Sequence, residues 1–473
     1  MTTPSPLRRS AVLVALLATV AAGAQGASTE SRFTKLTSDS LVSSTGYQTV
    51  LSTSITLLQP KGVLVVADGR LYPAGRARMP DLGIRIDGSL ADSSQAILDW
   101  TGTVSGAAVQ HSFDAIAYRQ LGAGTHTIQL VARNHPARGS GRFRVGADSA
   151  LSVMVDPAPH VLVSKLGADS QNIDLPTNQP PGIVIREGDP RPMVTLGRNR
   201  PWVSSPTPVA SLYSGRAYVA CNTAYPNNTP GSTNSEGDAA WGLQLSNSSC
   251  VENSQSSWSV NDLWRGAEKH ANLYGHGYHT VTGGTSIEFN AGELVFNDSV
   301  NNFENAVCYR VGANSQMISL YGMGISGSAP VDFTGCRTYR FRCIGTSMGS
   351  SGCPTVGQEV VLATKTIHIP SGHNGVVFFS AKTRIQGDPS DAGGNTFLYL
   401  KIDGVQRGSF GVQQLVHPQG ASSRTLTASY LSADGPQSAR LAPGNHTVQV
   451  VAKAQGSFRH VSVTKDLPLV YFD

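Results

Sequence analysis

A short phrase recurs three times along this chain. A repeat on that scale constrains the fold more than any single motif, because every copy must bury its apolar face by the same architecture. Gly124-Thr125-His126-Thr127-Ile128 is answered by Gly277-Tyr278-His279-Thr280-Val281 and by Gly444-Asn445-His446-Thr447-Val448. A second element lies upstream of each, at Ile84-Arg85-Ile86-Asp87-Gly88, Leu243-Gln244-Leu245-Ser246-Asn247 and Leu400-Lys401-Ile402-Asp403-Gly404. From Asp87, Ser246 and Asp403 the chain runs 39, 33 and 43 residues to the three histidines. Phe143-Arg144-Val145-Gly146-Ala147-Asp148-Ser149 matches Tyr309-Arg310-Val311-Gly312-Ala313-Asn314-Ser315, and Gly69-Arg70-Leu71-Tyr72 matches Gly215-Arg216-Ala217-Tyr218. The stretch 46–66 answers 357–379, and the first and third copies both close on an apolar strand ending in aspartate, Asp156 and Asp473.

These agreements predict three homologous units at 40–157, 190–328 and 355–473, joined by a Pro-rich linker over 158–189 and a Cys-containing linker over 329–354. The first linker carries Pro159, Pro176, Pro180 and Pro181, which suit an extended connection better than a helix. Its apolar run from His160 to Val163 suits a strand of a neighbouring sheet. Within the units, runs such as Val63 to Val66, Thr127 to Val131 and Leu151 to Val155 are short and rich in β-branched residues, and Asp87-Gly88 is a hairpin signal. With 50 Gly, only 14% charged residues and no long amphipathic pattern, coiled coils and helical bundles are excluded. The fold class expected is all-β: three tandem β-sandwiches of jelly-roll or immunoglobulin-like topology, which periodicity alone does not separate.

Residues 1–27 read as a signal peptide. Arg8 and Arg9 precede an apolar stretch from Ala11 to Ala22, and small residues follow at Gly23, Ala24 and Ala27. That stretch is too short to span a bilayer, and nothing later reaches 18 consecutive apolar residues. The expectation is a secreted or periplasmic protein with no membrane span in its mature chain. Without residues 1–27 the formal charge falls from +5 to +3, which argues against nucleic acid as a partner.

The middle copy carries most of the chemical novelty. Counting its trailing linker it holds Cys221, Cys250, Cys308, Cys336, Cys343 and Cys353, and it has insertions over 222–239 and 286–304 rich in Asn, Gly, Ser and Thr. An even cysteine count in an exported chain points to three disulfides, with Cys221 to Cys250 the favoured pairing. No Cys-x-x-Cys pair is present, so neither a thiolate metal site nor any cofactor is expected. After Cys250 comes a dense polar and aromatic segment containing Trp258, Asp262, Trp264, Glu268, Tyr274 and His276. Rings beside amide and charged groups suit a sugar, whose apolar face lies on Trp or Tyr while its hydroxyls take directed hydrogen bonds. The competing reading is that the same rings fill the sandwich core.

Other candidates favour structural roles. The repeated histidines, placed beside Gly and before a β-branched strand, read as turn residues packing on their own hairpins. His270, His276 and His279 match no zinc spacing, and Glu288 with Glu293 is an ordinary solvated pair. No nucleophile elbow, phosphate-cradling loop or His-Glu-x-x-His helix occurs.

Leu441-Ala442-Pro443-Gly444-Asn445-His446-Thr447-Val448 resembles the turn-and-strand phrase of bacterial extracellular β-sandwich modules, including those of surface adhesins and phage tail proteins. The resemblance spans about ten residues per copy. It implies a sandwich fold and an accessory, non-catalytic role, and carries over no binding residues. The leading expectation is an exported, non-enzymatic binding or structural protein whose middle unit contacts a glycan or a cell-surface partner. The alternatives are a secreted polysaccharide hydrolase or lyase using Glu268, His276 and Tyr274 for proton transfer, and a coat or filament subunit.

Overall fold

The computed structural model describes residues 31–75, 79–91, 96–97, 110–136, 141–170, 190–219, 238–245, 256–259, 270–294, 309–328, 341–346, 353–387, 394–415, 422–456, 460–464 and 469–473. Their regular structure is entirely β-strand, arranged in five sheets. Among the described residues no helix is long and apolar enough to cross a membrane.

One pairing scheme recurs in three successive sets of strands. The first set comprises β1 (Arg32–Lys35), β2 (Ser40–Val42), β3 (Gln48–Leu57), β4 (Lys61–Pro73), β5 (Pro80–Ile86), β6 (Ser89–Leu90), β7 (Ala96–Ile97), β8 (His111–Leu121), β9 (Gly124–Asn134), β10 (Phe143–Val145) and β11 (Ala150–Val155). One of its sheets runs β1-β11-β4-β8, with β10 and β2 at the far end of β4, and the other runs β3-β9-β5-β6 with β7 also on β5. This crossing order of two antiparallel sheets is the jelly roll, which decides between the two expected topologies. Alternate residues close the core: Val63, Val65 and Ala67 of β4 meet Leu82, Ile84 and Ile86 of β5 and Ile128 and Leu130 of β9.

The second set comprises β12 (His160–Lys165), β13 (Pro190–Asn199), β14 (Thr207–Val219), β15 (Asp238–Leu245), β16 (Ser256–Ser259), β17 (His270–Val281), β18 (Ile287–Leu294), β19 (Tyr309–Val311) and β20 (Gln316–Tyr321). Its sheets run β12-β20-β14-β17 and β13-β18-β15-β16, the same order. The third set comprises β21 (Ser326–Ser328), β22 (Phe341–Gly345), β23 (Glu359–Ile369), β24 (Val377–Gly387), β25 (Gly394–Ile402), β26 (Val405–Leu415), β27 (Ser422–Ser432), β28 (Gly444–Gln455), β29 (Val461–Thr464) and β30 (Leu469–Phe472). Here β21-β30-β24-β27 faces β23-β28-β25-β26.

Local chemistry explains why the sets agree. Asp87 and Gly88 have φ of 50° and 80°, and Asp403 and Gly404 have 52° and 78°, the left-handed pair that a two-residue hairpin between β5 and β6, or β25 and β26, requires. Each aspartate then clips the neighbouring strand. Asp87 Oδ2 meets His126 Nδ1 at 2.7 Å and its Oδ1 accepts from Thr127 N at 2.9 Å, while His126 Nε2 lies 2.9 Å from the Gly122 carbonyl. Asp403, His446, Thr447 and Ala442 repeat the arrangement within 0.1 Å of those distances. The histidines are structural clips, as their position before a β-branched strand suggested.

His279 is not the third member of that series. It lies in β17 opposite Val209, in the place of β8 and β27, whereas His126 and His446 lie in β9 and β28. The pairing of Leu245 with Ile287, equivalent to Ile86 with Ile128, puts Thr285 where the imidazole would be, 39 residues after Ser246. The five-residue phrase matched by chance: Gly277 and His279 lie near the end of β17, whereas Gly124 and Gly444 begin β9 and β28, and Ser246 stands where Asp87 and Asp403 supply the acid.

The corner after β10 and β19 is shared by the first two sets. Ser149 Oγ donates to Gly146 O and Ser315 Oγ to Gly312 O, both at 2.8 Å. Asp148 and Asn314 take φ of 67° and 70°, and Asp39 and Asp169 accept from Ala147 N and Ala313 N at 2.8 and 2.7 Å.

Sheet membership redraws the expected linkers. The strand β12, within 158–189, pairs along its length with β20, and β22, within 329–354, pairs with β29. Cys343 and Cys353 are joined in a disulfide and therefore brace the third set rather than the middle one. Cys221, Cys250, Cys308 and Cys336 lie outside the described residues, as does the favoured Cys221 to Cys250 bridge.

Gly215 tests the shared corner. A Cβ there would sit 2.0 Å from Ser315 Oγ and 2.8 Å from its backbone Cα, so room must come from the main chain. Gly215→Ala is expected to cost about 1–3 kcal/mol in urea denaturation, while Gly122→Ala, which meets nothing within 4 Å, is expected to stay within about 0.5 kcal/mol of the parent.

Candidate functional site

The three sets close into a ring. Strand β7 lies against β14 and β17, β16 pairs with β27 at Trp258 and Arg424, and β26 lies against β4 and β8, so each set offers the same edge to the next. The faces that meet are the outer faces of β4, β14 and β24. This is why β4 reads as an almost unbroken apolar run and is buried on both sides. Leu64, Val66 and Ile116 join Ala210, Leu212, Ile318 and Leu320 and the third set's Phe378 in one continuous core.

At the middle of that core the equivalent register positions hold Asp68, Ser214 and Lys382, paired across their antiparallel ladders with Asp114, Tyr274 and Thr427. All six are buried. Polar groups removed from water need partners, and several here find them in other sets. Ser429 Oγ donates to Asp68 Oδ1 at 2.7 Å, and Ser409 Oγ donates to its other oxygen. Asn272 Oδ1 accepts from Asp114 N at 2.7 Å, Gln316 Nε2 donates to Ile116 O at 2.7 Å, and Ser214 Oγ donates to Asp114 O at 3.3 Å. Ser112 Oγ both accepts from Val412 N and donates to Val412 O, at 3.0 and 3.1 Å.

Burial sets the ionisation at this junction. Desolvation pushes Asp68 up to about 6, against the hydrogen bonds from Ser409 and Ser429. Asp114 is pushed well above the usual carboxylate range, by desolvation first and the Asp68 charge second. Desolvation also drives Lys382 well below the usual ammonium range.

Two residues expected on a ligand-facing surface are part of this junction. Tyr274 is 4% exposed and its hydroxyl donates to the Thr425 carbonyl; His276 is 3% exposed, with Nδ1 2.8 Å from Ser380 Oγ. They bind the second set to the third, which corrects their assignment to an open platform and to surface proton transfer. Their strand was expected to show one wet face, but ring closure covers both. Trp258 belongs to β16, while Asp262, Trp264 and Glu268 lie outside the described residues. Glu288 is buried and paired with Arg198 at 2.6 Å, not solvated.

Two accessible features were not singled out from sequence. Trp202, following β13, is 90% exposed. A cleft of about 600 Å³ lies where the first set passes into the second, lined by Tyr118, Gln120, Asp156, Pro159, His160 and Tyr321 among others. The His160 ring stacks on Tyr321 with centroids 4.9 Å apart and planes 24° from parallel. Gln120 Nε2 donates to the Tyr118 hydroxyl at 2.9 Å, and Asp156 is held by the Lys61 ammonium and, at 3.0 Å, by Gly62 N. The only sequence signal was Asp156 closing an apolar strand, since the partners are far apart in the chain.

No family model and no curated protein matches the chain. Among solved structures it is similar to the tandem CBM22 domains of Paenibacillus barcinonensis Xyn10C, at 11% identity over 63% of this chain and 100% of that one, with a TM-score of 0.17. It is also similar to a triple jelly-roll protein of an archaeal virus turret assembly, at 9% identity over 92% of this chain and 91% of that one (TM-score 0.16). A third similarity is to infectious bursal disease virus Gt strain, at 9% identity over 93% and 80% (TM-score 0.19). With superpositions this loose the jelly roll rests on the strand order alone.

The junction has a pH signature. A folded state that keeps Asp68 protonated beyond the point where the unfolded chain ionises is most stable below the ordinary carboxylate value and loses that contribution as pH rises through about 6. Asp68 is expected to contribute a fall of about 2–3 kcal/mol in urea denaturation between about pH 4 and 6.5, and Asp68→Asn is expected to remove that share while leaving the further fall that buried Asp114 contributes.

Proposed function

We propose that the chain is an exported, non-catalytic binding or structural protein. In this reading the three strand sets are three jelly-roll domains, near 40–157, 190–328 and 355–473, descended from one unit and locked into a ring that displays the loops of the middle domain. The partner is a glycan or a cell-surface molecule.

The observation that carries this reading is the use to which the fold puts its polar side chains. Asp68, Asp114, Tyr274 and His276 are all buried and, by side chain or main chain, hydrogen-bonded across set boundaries. A ring closed on such contacts resists rearrangement, because separating any two sets would strand buried donors and acceptors. Rigidity of this kind serves display, since a binding surface held in place loses little freedom when its ligand arrives. A polysaccharide hydrolase reading loses two of its three proton-transfer candidates, because Tyr274 and His276 are spent on Thr425 and Ser380. The Asn-, Gly-, Ser- and Thr-rich stretch 222–239 remains a segment in which the middle copy departs from its neighbours, whereas much of 286–304 is β18, the counterpart of β9 and β28, and so is not an insertion.

Binding of the full-length protein to a glycan array and to whole cells, compared with Trp258→Ala/Trp264→Ala, tests the proposal. The expected result is selective binding by the parent and at least a tenfold loss in the double variant at unchanged melting temperature, the cost of removing aromatic anchors. Binding that is untouched in a folded double variant would remove the middle-domain platform.

A further inference from the structure

The cleft between the first and second sets has the construction of a binding site, and the wider reading given above does not specify it. We propose that this cleft holds a ring of a neutral saccharide, stacked on the His160–Tyr321 pair with its hydroxyls directed by Gln120 and Asp156. The inference rests on the glycan form of the proposed function and locates its contact.

Size and composition agree with that ligand. About 600 Å³ is within the range of small-molecule sites, which combine flat apolar surface with a few fixed polar groups. His160 is exposed while Tyr321 is 9% exposed, so the imidazole is a surface platform with a buried ring behind it. Stacked rings suit the apolar face of a pyranose. The polar groups are fixed before any ligand arrives: Lys61 and Gly62 N hold Asp156, and the Tyr118 hydroxyl holds the Gln120 amide nitrogen, leaving its carbonyl oxygen as an acceptor. The Lys61 ammonium offsets the Asp156 charge. An anionic sugar would gain nothing beside that carboxylate, so the ligand assigned is neutral.

The corresponding boundary between the second and third sets is built differently. Strand register puts Tyr278 where Tyr118 stands, Thr280 for Gln120, Gly322 for Asp156, Ile325 for His160 and Asp473 for Tyr321. Asp473 there accepts from Ile325 N at 2.5 Å and pairs with His373. Only the first boundary therefore combines a stacked ring pair with a fixed amide and carboxylate, although both boundaries come from the same strands. The connection between first and second sets is also short, with Asp156 at φ 48° and Pro159 packed on Gly322, so the two walls are held in register.

The test is titration calorimetry of the full-length protein with neutral hexasaccharides of β1,4-glucose, α1,4-glucose, β1,4-xylose and β1,4-mannose. The parent is compared with His160→Ala, Gln120→Ala and the Trp258→Ala/Trp264→Ala double variant, each checked by thermal melting. The expected result is binding of at least one hexasaccharide by the parent, weakened about tenfold or more by His160→Ala and several-fold by Gln120→Ala, with melting temperatures held. If the parent binds and both cleft variants bind equally well, the cleft assignment is overturned while the proposed function stands. If no hexasaccharide binds the parent, the assignment is likewise overturned, and whole-cell binding then judges the proposed function separately.

Discussion

The structure depends on one constraint: the outer faces of β4, β14 and β24 are covered. A jelly roll alone needs only one buried face per sheet, and its other face can be wet. Here the second face of each sheet is pressed into its neighbours, so its polar groups must be satisfied by protein. That requirement accounts for Asn272 reaching Asp114 N, for Gln316 reaching Ile116 O and for the two serines on Asp68. It also accounts for Tyr274 and His276, whose ring atoms would otherwise be reasonable ligands for a substrate.

Closure of the ring also explains why the three strand sets differ where they do. In a symmetric trimer the central position would hold the same residue three times, and three acids or three lysines brought together out of water would be prohibitive. Within a single chain the three equivalent positions can differ, and they are acid, hydroxyl and amine at Asp68, Ser214 and Lys382. The outer hairpins were under no such pressure. Asp87 and Asp403 are half exposed and keep the same clip in the first and third sets.

Much of the architecture was legible because it is local. Asp87-Gly88 predicted a hairpin from backbone chemistry alone, the histidine clips were read as structural, and the paired Gly-Arg and Val-Gly-Ala phrases mark the same corner in two sets. The jelly-roll order was not legible, since which strand pairs with which depends on contacts well separated along the chain, such as Arg32 with Val153 and His160 with Tyr321. The same distance defeated the site. His160, Tyr321 and Tyr118 belong to separate strands, and only register brings them together. The false third histidine has a similar origin: a five-residue match carries no information about the strand's partner, and the missing acid at Ser246 was the residue that mattered.

The corrected alignment changes what the middle set means. With Thr285 in the place of His126 and Ser246 in the place of Asp87, the sequence of the second set carries neither side chain of that clip. The strand that follows, β16, is the one that pairs with β27 and so completes the ten-stranded sheet shared with the third set. The edge whose sequence has Ser246 for the hairpin aspartate is thus the edge that extends a neighbour's sheet. Because Trp258 pairs with Arg424 there, its backbone position is fixed by the junction. Any surface its neighbourhood presents is then anchored to two strand sets at once.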